Sequence, residues 1–323
     1  MSTAPQPAPP TSVDHRSLAL GIATYVIWGF FPLYFHELNP ARPLEVIAHR
    51  AFWGLCFCLI GLVVLKRWNR LVDAITSPKI RWRLTLAGFL VVINWTTYVF
   101  AIQTGHTVDA AIGYFINPLV TVALSMIVRR ERTSTLQKIA LGFGAVAVAI
   151  LILGQGRLPW VSLTLALSFG FYSLVKKDVA ATVDPLAGMA VETAAVAPVL
   201  LAYLAYLAVR GQTSFNTIAA AHAAGQPTIQ WPLHLFLLIG AGLLTVIPLV
   251  MFATAARGLP LATLGFIQYL SPVLQMAVGI IAFHEVVEPT RWIATGVVWI
   301  ALVFLSVDIV LASRRRKKLL RRS

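Results

Sequence analysis

Arg50 and Glu192 are the two residues whose chemistry fits least with their surroundings. Arg50, preceded by His49, stands about seven residues into an apolar run that opens at Pro43-Leu44. Glu192 stands equally far into a second run, which opens at Pro185-Leu186. A charge inside hydrocarbon costs at least ~2.5–3.5 kcal/mol, so an ionisable residue there is by default a functional one. Snorkelling is the competing reading for Arg50. At 1.5 Å per residue it lies ~10 Å into its helix, and a long side chain covers part of that distance. Glu192 could carry a proton, neutralise a cationic group or hold a helix. Glu45, close to the interface, is expected as an end-of-helix charge.

Further polar and aromatic groups sit in the other apolar runs. Asn94, Trp95 and Tyr98 share one run, and Asn94 and Tyr98, four apart, share a helix face. Trp28, Tyr114, Asn117, Tyr172, Gln268, Tyr269 and Ser271 complete the candidate set for a solute cavity. Hydrogen bonding between helices is the alternative use of such groups. Pro32, Pro118, Pro198, Pro248 and Pro272 fall inside the same runs, where a proline removes a backbone bond and kinks a helix. Other chemistry is missing. No G-x-x-x-x-G-K-[ST] loop holds a nucleotide, His284-Glu285 lacks the second His of a zinc motif, and no Gly-x-Ser-x-Gly elbow occurs. Neither a metal, a cofactor nor an enzymatic reaction is expected. Any driving force must come from a gradient.

The elements that would position these residues follow from composition. The chain of 323 residues is 58% hydrophobic and 12% charged, too little charge to solvate a soluble protein of this size. Apolar windows start near Leu18, Leu44, Arg83, Thr107, Leu136, Leu158, Leu186, Leu233, Leu261 and Trp292. Each is long enough, at about 20 residues, to cross a hydrocarbon core of roughly 30 Å. They lack the alternation of barrel strands, so ten transmembrane helices are expected in an all-α membrane protein. The net charge of +14 is placed by topology and does not mark a nucleic-acid binder. Lys66, Arg67, Arg70, Lys79, Arg81 and Arg83 fall in one loop, Arg129, Arg130, Arg132 and Lys138 in another, Lys176 and Lys177 follow the sixth span, Arg257 the eighth, and Arg314 to Lys318 the last. Loops of the other parity carry Arg42, Arg157, Arg210 and Arg291. By the positive-inside rule both termini are cytoplasmic. Residues 1–16 read as a disordered tail and 312–323 as a basic one. Cys56 and Cys58 point to different helix faces and cannot bridge.

The chain also repeats itself. Pro118, Glu131 and Gly142 recur as Pro272, Glu285 and Gly296 at one offset. Upstream, Trp28-Gly29-Phe30 is echoed by Phe169-Gly170-Phe171, and Pro43 by Pro185. The units run over 17–154 and 158–311. Five helices per unit is odd, so the second unit inserts upside down. The basic Arg129-Arg130-Glu131-Arg132 loop and its acidic counterpart His284-Glu285-Val286-Val287-Glu288 agree. Inverted repeats are the usual construction of secondary transporters, with the solute between them near the midplane. Spans five and ten, poor in polar side chains, are expected outside the other eight.

His49-Arg50, Ile93-Asn94-Trp95, Gly113-Tyr114-Phe115-Ile116-Asn117-Pro118-Leu119, Glu192-Thr193 and Gly265-Phe266-Ile267-Gln268-Tyr269-Leu270-Ser271-Pro272 resemble the RarD group of EamA transporters, in the drug/metabolite transporter superfamily. The resemblance covers nearly the whole chain past residue 16. It implies a ten-helix permease of the bacterial inner membrane built from two inverted EamA units. The function expected is movement of a small organic metabolite or drug-like solute by alternating access, with lipid as the surrounding partner. A non-transporting membrane scaffold or sensor is the alternative. The cargo, the direction, the coupling ion and the oligomeric state are not written in these residues.

Overall fold

The computed structural model describes residues 14–320 apart from 132, 180, 181 and 260. Among the described residues every regular element is a helix. The first repeat holds α1 (His15–Gly29), α2 (Phe31–His36), α3 (Pro43–Val64), α4 (Trp68–Thr76), α5 (Pro78–Gln103), α6 (Thr107–Arg129) and α7 (Thr135–Gln155). The second holds α8 (Trp160–Lys177), α9 (Pro185–Val209), α10 (Ser214–Ala223), α11 (Trp231–Gly258), α12 (Leu261–Ile267), α13 (Leu270–Ile281) and α14 (Pro289–Leu320). Nine helical stretches among the described residues are long and apolar enough to cross a membrane. The tenth expected span, α8, is 18 residues long and stands outside that set, its last turn carrying Lys176 and Lys177. Large apolar side chains such as Leu153, Val209 and Phe236 cover the outer faces, as lipid contact requires.

Sequence chemistry sets the helix ends. Pro43, Pro78, Pro185 and Pro289 each open a helix, where a missing N–H costs nothing. Asp184 caps α9, accepting from Leu186 N at 3.0 Å. Ser134 and Gln137 form a capping box at α7. The first span breaks at Phe30, between α1 and α2, two residues before Pro32. Pro32 has no N–H to give the Trp28 carbonyl one turn back, and Gln275 Nε2 donates to that carbonyl at 3.1 Å. The ninth span also breaks, at Gln268-Tyr269, just before Pro272. Pro118, Pro198 and Pro248 lie inside helices that continue through them.

Two short helices were not expected. α4 lies between the second and third spans, with Leu71 and Ala74 buried and Arg70 and Asp73 exposed. α10 fills the long 210–232 loop and starts with a Thr213–Asn216 capping box. Asp14 caps α1, accepting from Ser17 N at 3.0 Å, so the segment expected as an N-terminal tail is ordered from there. Residues 1–13 and Arg132 lie outside the described residues. The basic C-terminal segment continues α14 as helix to Leu320, where a tail was expected.

Packing is between repeats more than within them. α1 packs on α11 and α13, α8 packs on α5 and α6, α3 packs on α9, and α7 packs on α14. Exchanging the repeats span for span maps this pattern onto itself. α7 and α14 meet through stacked Phe143 and Phe304 rings, 5.6 Å apart. On the face carrying the 104–107 and 282–289 turns, Glu285 reaches across to cap α6. Its two oxygens accept from Thr107 N at 2.7 Å and Val108 N at 2.9 Å. Asp109 in the same turn pairs with Arg291 at 3.1 Å. Glu131, the repeat counterpart of Glu285, lies on the surface with Lys177 at 2.9 Å. Glu285→Ala leaves the α6 amides uncapped and is expected to cost roughly 1–2 kcal/mol. A lowered thermal midpoint in detergent would record it, and an unchanged one would show that the cap adds nothing.

Candidate functional site

Arg50 is 5% exposed, deep between α2, α3, α5 and α11. Its Nε donates to Thr245 Oγ1 at 2.7 Å, and that hydroxyl donates on to Ala241 O at 2.9 Å. Its Cζ stands 3.9 Å from the Trp95 ring centroid, 5.3 Å from Phe35 and 5.8 Å from Phe31. Phe35 meets Tyr98 edge-on at 6.1 Å, and Tyr98 meets Tyr114 at 5.5 Å. The guanidinium therefore occupies an aromatic chamber. The Tyr98 hydroxyl in that ring of side chains is buried and meets no hydrogen-bond partner among the described residues. Taking a guanidinium out of water costs several kcal/mol. One hydrogen bond from a charged donor returns ~1.5–3 kcal/mol and the Trp95 face up to ~2. The remaining N–H groups of the fork are left without protein acceptors among the described residues.

Two glycines allow this approach. A Cβ on Gly242 would meet Gly54 N at 2.6 Å and Trp53 Cβ at 2.6 Å, so α3 and α11 touch backbone to backbone. Gly54 is one turn from Arg50, and Gly242 is one turn from Thr245. The close crossing is what brings a short threonine to an arginine on another helix.

Glu192, 1% exposed, is held differently. Lys176 Nζ donates to its Oε1 at 2.5 Å and Tyr172 OH to its Oε2 at 3.2 Å. Lys176 is a quarter exposed and reaches in along its apolar stem. Sequence reasoning placed Lys176 among the loop charges and missed it as a partner. Its signal was the spacing: Tyr172 and Lys176 are four apart on one face of α8. Here too a glycine sets the distance, since a Cβ on Gly88 would meet Glu192 O at 2.5 Å. Arg50 and Glu192 do not touch, and each has its own partners.

The other expected residues divide into groups. Asn94 is a tie: its Nδ2 donates to Leu165 O at 3.0 Å and Ser168 Oγ at 3.1 Å, and its Oδ1 accepts from Tyr114 OH at 3.1 Å. It joins α5 to α8 and α6. Asn117 is buried in α6 with an unpartnered Oδ1. Trp28 packs on Phe252 and Tyr25 at the α1–α2 break. Ser271 accepts from Gln275 Nε2 at 3.2 Å. His49 is half-buried beside Phe215. Gln268 stands at the α12–α13 break. Tyr269, expected with the cavity residues, lines a groove of about 670 Å³ with Phe115, Trp299, Ser306 and Arg314. That groove opens along α14, away from Arg50 and Glu192. Glu45, expected as an end-of-helix charge, is buried. It accepts from Ser214 N at 2.9 Å and Ser214 Oγ at 2.8 Å, and His234 Nε2 lies 2.9 Å from the same hydroxyl.

Comparison with known proteins agrees with this architecture. The EamA-like transporter family matches residues 15–153 and again 159–307. A protein named RarD from Streptomyces exfoliatus is 39% identical over 304 residues, covering 94% of this chain and 92% of that protein. The RarD protein of Escherichia coli K12 is 32% identical over 304 residues, covering 94% and 98%. An uncharacterized transporter, YojE of Bacillus subtilis, is 33% identical over 297 residues, covering 91% and 94%. One solved crystal structure superposes with a TM-score of 0.54 at 16% identity, covering 92% of this chain and 98% of that one, a likeness of fold alone. Two family matches, one per repeat, and relatives over nearly its whole length settle the class: the chain belongs to the EamA-like transporter family, in its RarD group, and is a multi-pass membrane transporter, not an enzyme.

Proposed function

We propose that the protein carries a small organic solute across the bacterial inner membrane by alternating access, with the solute held between the two repeats. The observation that carries this reading is the pair of buried charges at matching positions of the repeats. Arg50 and Glu192 each stand at the eighth position of their helix, near a glycine crossing with the other repeat. The two helices enter from opposite faces in this reading, so the charges occupy opposite halves of the pathway. Arg50 meets the solute or a gate from one side, and Glu192 from the other. Glu192, with Lys176 and Tyr172, is also the group suited to carry a proton if flux is coupled to one. Uptake of radiolabelled metabolites into proteoliposomes containing the purified protein tests the proposal. Uptake no faster than into empty liposomes, across a broad solute panel, would overturn it.

The same reading places both termini in the cytoplasm. Single cysteines at Ser77 and Thr213, in a background without Cys56 and Cys58, are then expected to react with a membrane-impermeant thiol reagent from opposite sides. Thr213 should label in intact cells and Ser77 only after permeabilisation. Labelling of both from outside would contradict the inverted arrangement.

A further inference from the structure

We infer that the solute bound at Arg50 is an organic monoanion: a carboxylate carrying a flat apolar body. The inference rests on the reading of the Arg50 chamber as the solute site. Its own support is the distribution of acidic groups. The chain has 12 aspartates and glutamates, and each is engaged or exposed elsewhere. Among the buried and half-buried ones, Glu45 is held by Ser214, Asp109 by Arg291, Glu192 by Lys176 and Glu285 by the α6 amides. Asp14 and Asp184 cap helices, Asp178 takes Arg83 and Arg129, Glu131 takes Lys177 and Asp308 takes Gln137. Glu37, Asp73 and Glu288 are exposed. Arg50 is thus a buried guanidinium with one hydroxyl partner and, among the described residues, no ion pair.

The side chains around the guanidinium narrow the class. Trp95 covers one face of the guanidinium, and the edge of the fork is where a carboxylate takes two parallel N–H bonds. Among the described residues Arg50 is the one cation there, which matches a single negative charge better than a phosphate dianion. The walls are Phe31, Phe35, Tyr98 and Tyr114, which favour a flat apolar body beside the carboxylate. The unpartnered Tyr98 hydroxyl supplies a further donor in the same chamber.

The test uses full-length protein in detergent, in low-chloride buffer, with benzoate, phenylacetate and octanoate as probes. Each is compared with its amide and its amine of the same size. At least one carboxylate is expected to raise the thermal midpoint by about 5 °C at saturation, with its amide and amine giving no comparable rise. Arg50→Met should remove that response. It should also raise the midpoint of the ligand-free protein, because an apolar side chain replaces an uncompensated buried charge. Arg50→Lys keeps the charge without the planar fork and should weaken binding by about 10-fold or more. The inference is overturned if no carboxylate stabilises the protein, if amides or amines stabilise it equally, or if the response survives Arg50→Met. Binding is read without a gradient. Carboxylate binding with no flux would therefore remove the transport reading alone, and flux without carboxylate preference would remove this one alone.

Discussion

Arg50→Ala and Glu192→Ala are each expected to abolish solute flux while leaving a folded, membrane-inserted protein. A desolvated charge contact is worth ~2–5 kcal/mol when one partner is truncated, which corresponds to a loss of about 300-fold in the middle of that range. Arg50→Ala removes a group whose only hydrogen-bond partner among the described residues is Thr245, itself already bonded to Ala241 O, so little of the fold depends on it. Glu192→Ala strands Lys176. Its side chain is 26% exposed, so its amine can retreat toward water and the bundle should survive. Exchanging the charges, Arg50→Glu with Glu192→Arg, should not restore flux. An arginine at 192 would face Lys176, and a glutamate at 50 would face Trp95 and Phe35. Size-exclusion profile and membrane fraction serve as the folding controls. Full recovery in the exchanged protein would reveal a simple structural ion pair and remove the functional assignment of both residues.

Gly242→Val should be the most disruptive single substitution at the seam between repeats. The new side chain would point at Gly54 N, 2.6 Å away, and backbone cannot step aside as a flexible side chain can. Either α3 and α11 move apart or the helix deforms, and overpacking of this kind costs about 1–3 kcal/mol or more. Even Gly242→Ala meets the contact. The helix-propensity gain of up to ~1 kcal/mol from losing a glycine works against the strain without cancelling it. Moving α11 outward also takes Thr245 from Arg50. Stability and flux are therefore expected to fall together, with Gly88→Ala behaving alike at Glu192 O. Gly142, where an added Cβ meets nothing within 4 Å, is the control. If Gly242→Ala matched Gly142→Ala in both thermal midpoint and flux, the crossing would not be what holds the site.

The spans were legible because twenty apolar residues in a row have one cheap conformation in lipid. α4 and α10 were not, since nine and ten residues of mixed polarity look like any loop. Arg50 and Glu192 stood out because their helices are otherwise apolar. Their partners did not. Thr245 is an ordinary membrane threonine, and Lys176 looks like one more positive charge at a helix end. Which helix a glycine faces is equally hidden. Gly54, Gly88 and Gly242 acquire meaning only when another backbone lies against them. Glu45 misled for a related reason: it sits near its helix start, where a solvated charge is normal, and α10, folding over it, could not be foreseen.

The Arg50–Thr245 bond spans 195 residues of chain, whereas the Lys176–Glu192 bond spans 16. Translation runs from the N-terminus, so α3 reaches the bilayer well before α11 has been made. During that interval the first repeat holds a guanidinium that has its aromatic neighbours but lacks the Thr245 hydroxyl, while the second repeat can neutralise its carboxylate almost as soon as α9 is inserted. The two halves of one duplicated unit thus face different problems during biogenesis. The early half completes its hydrogen bonding only when α11 arrives; the late half closes locally. A chain halted anywhere before Trp231 would lack the helix that carries Thr245 and would leave the Arg50 bond unmade.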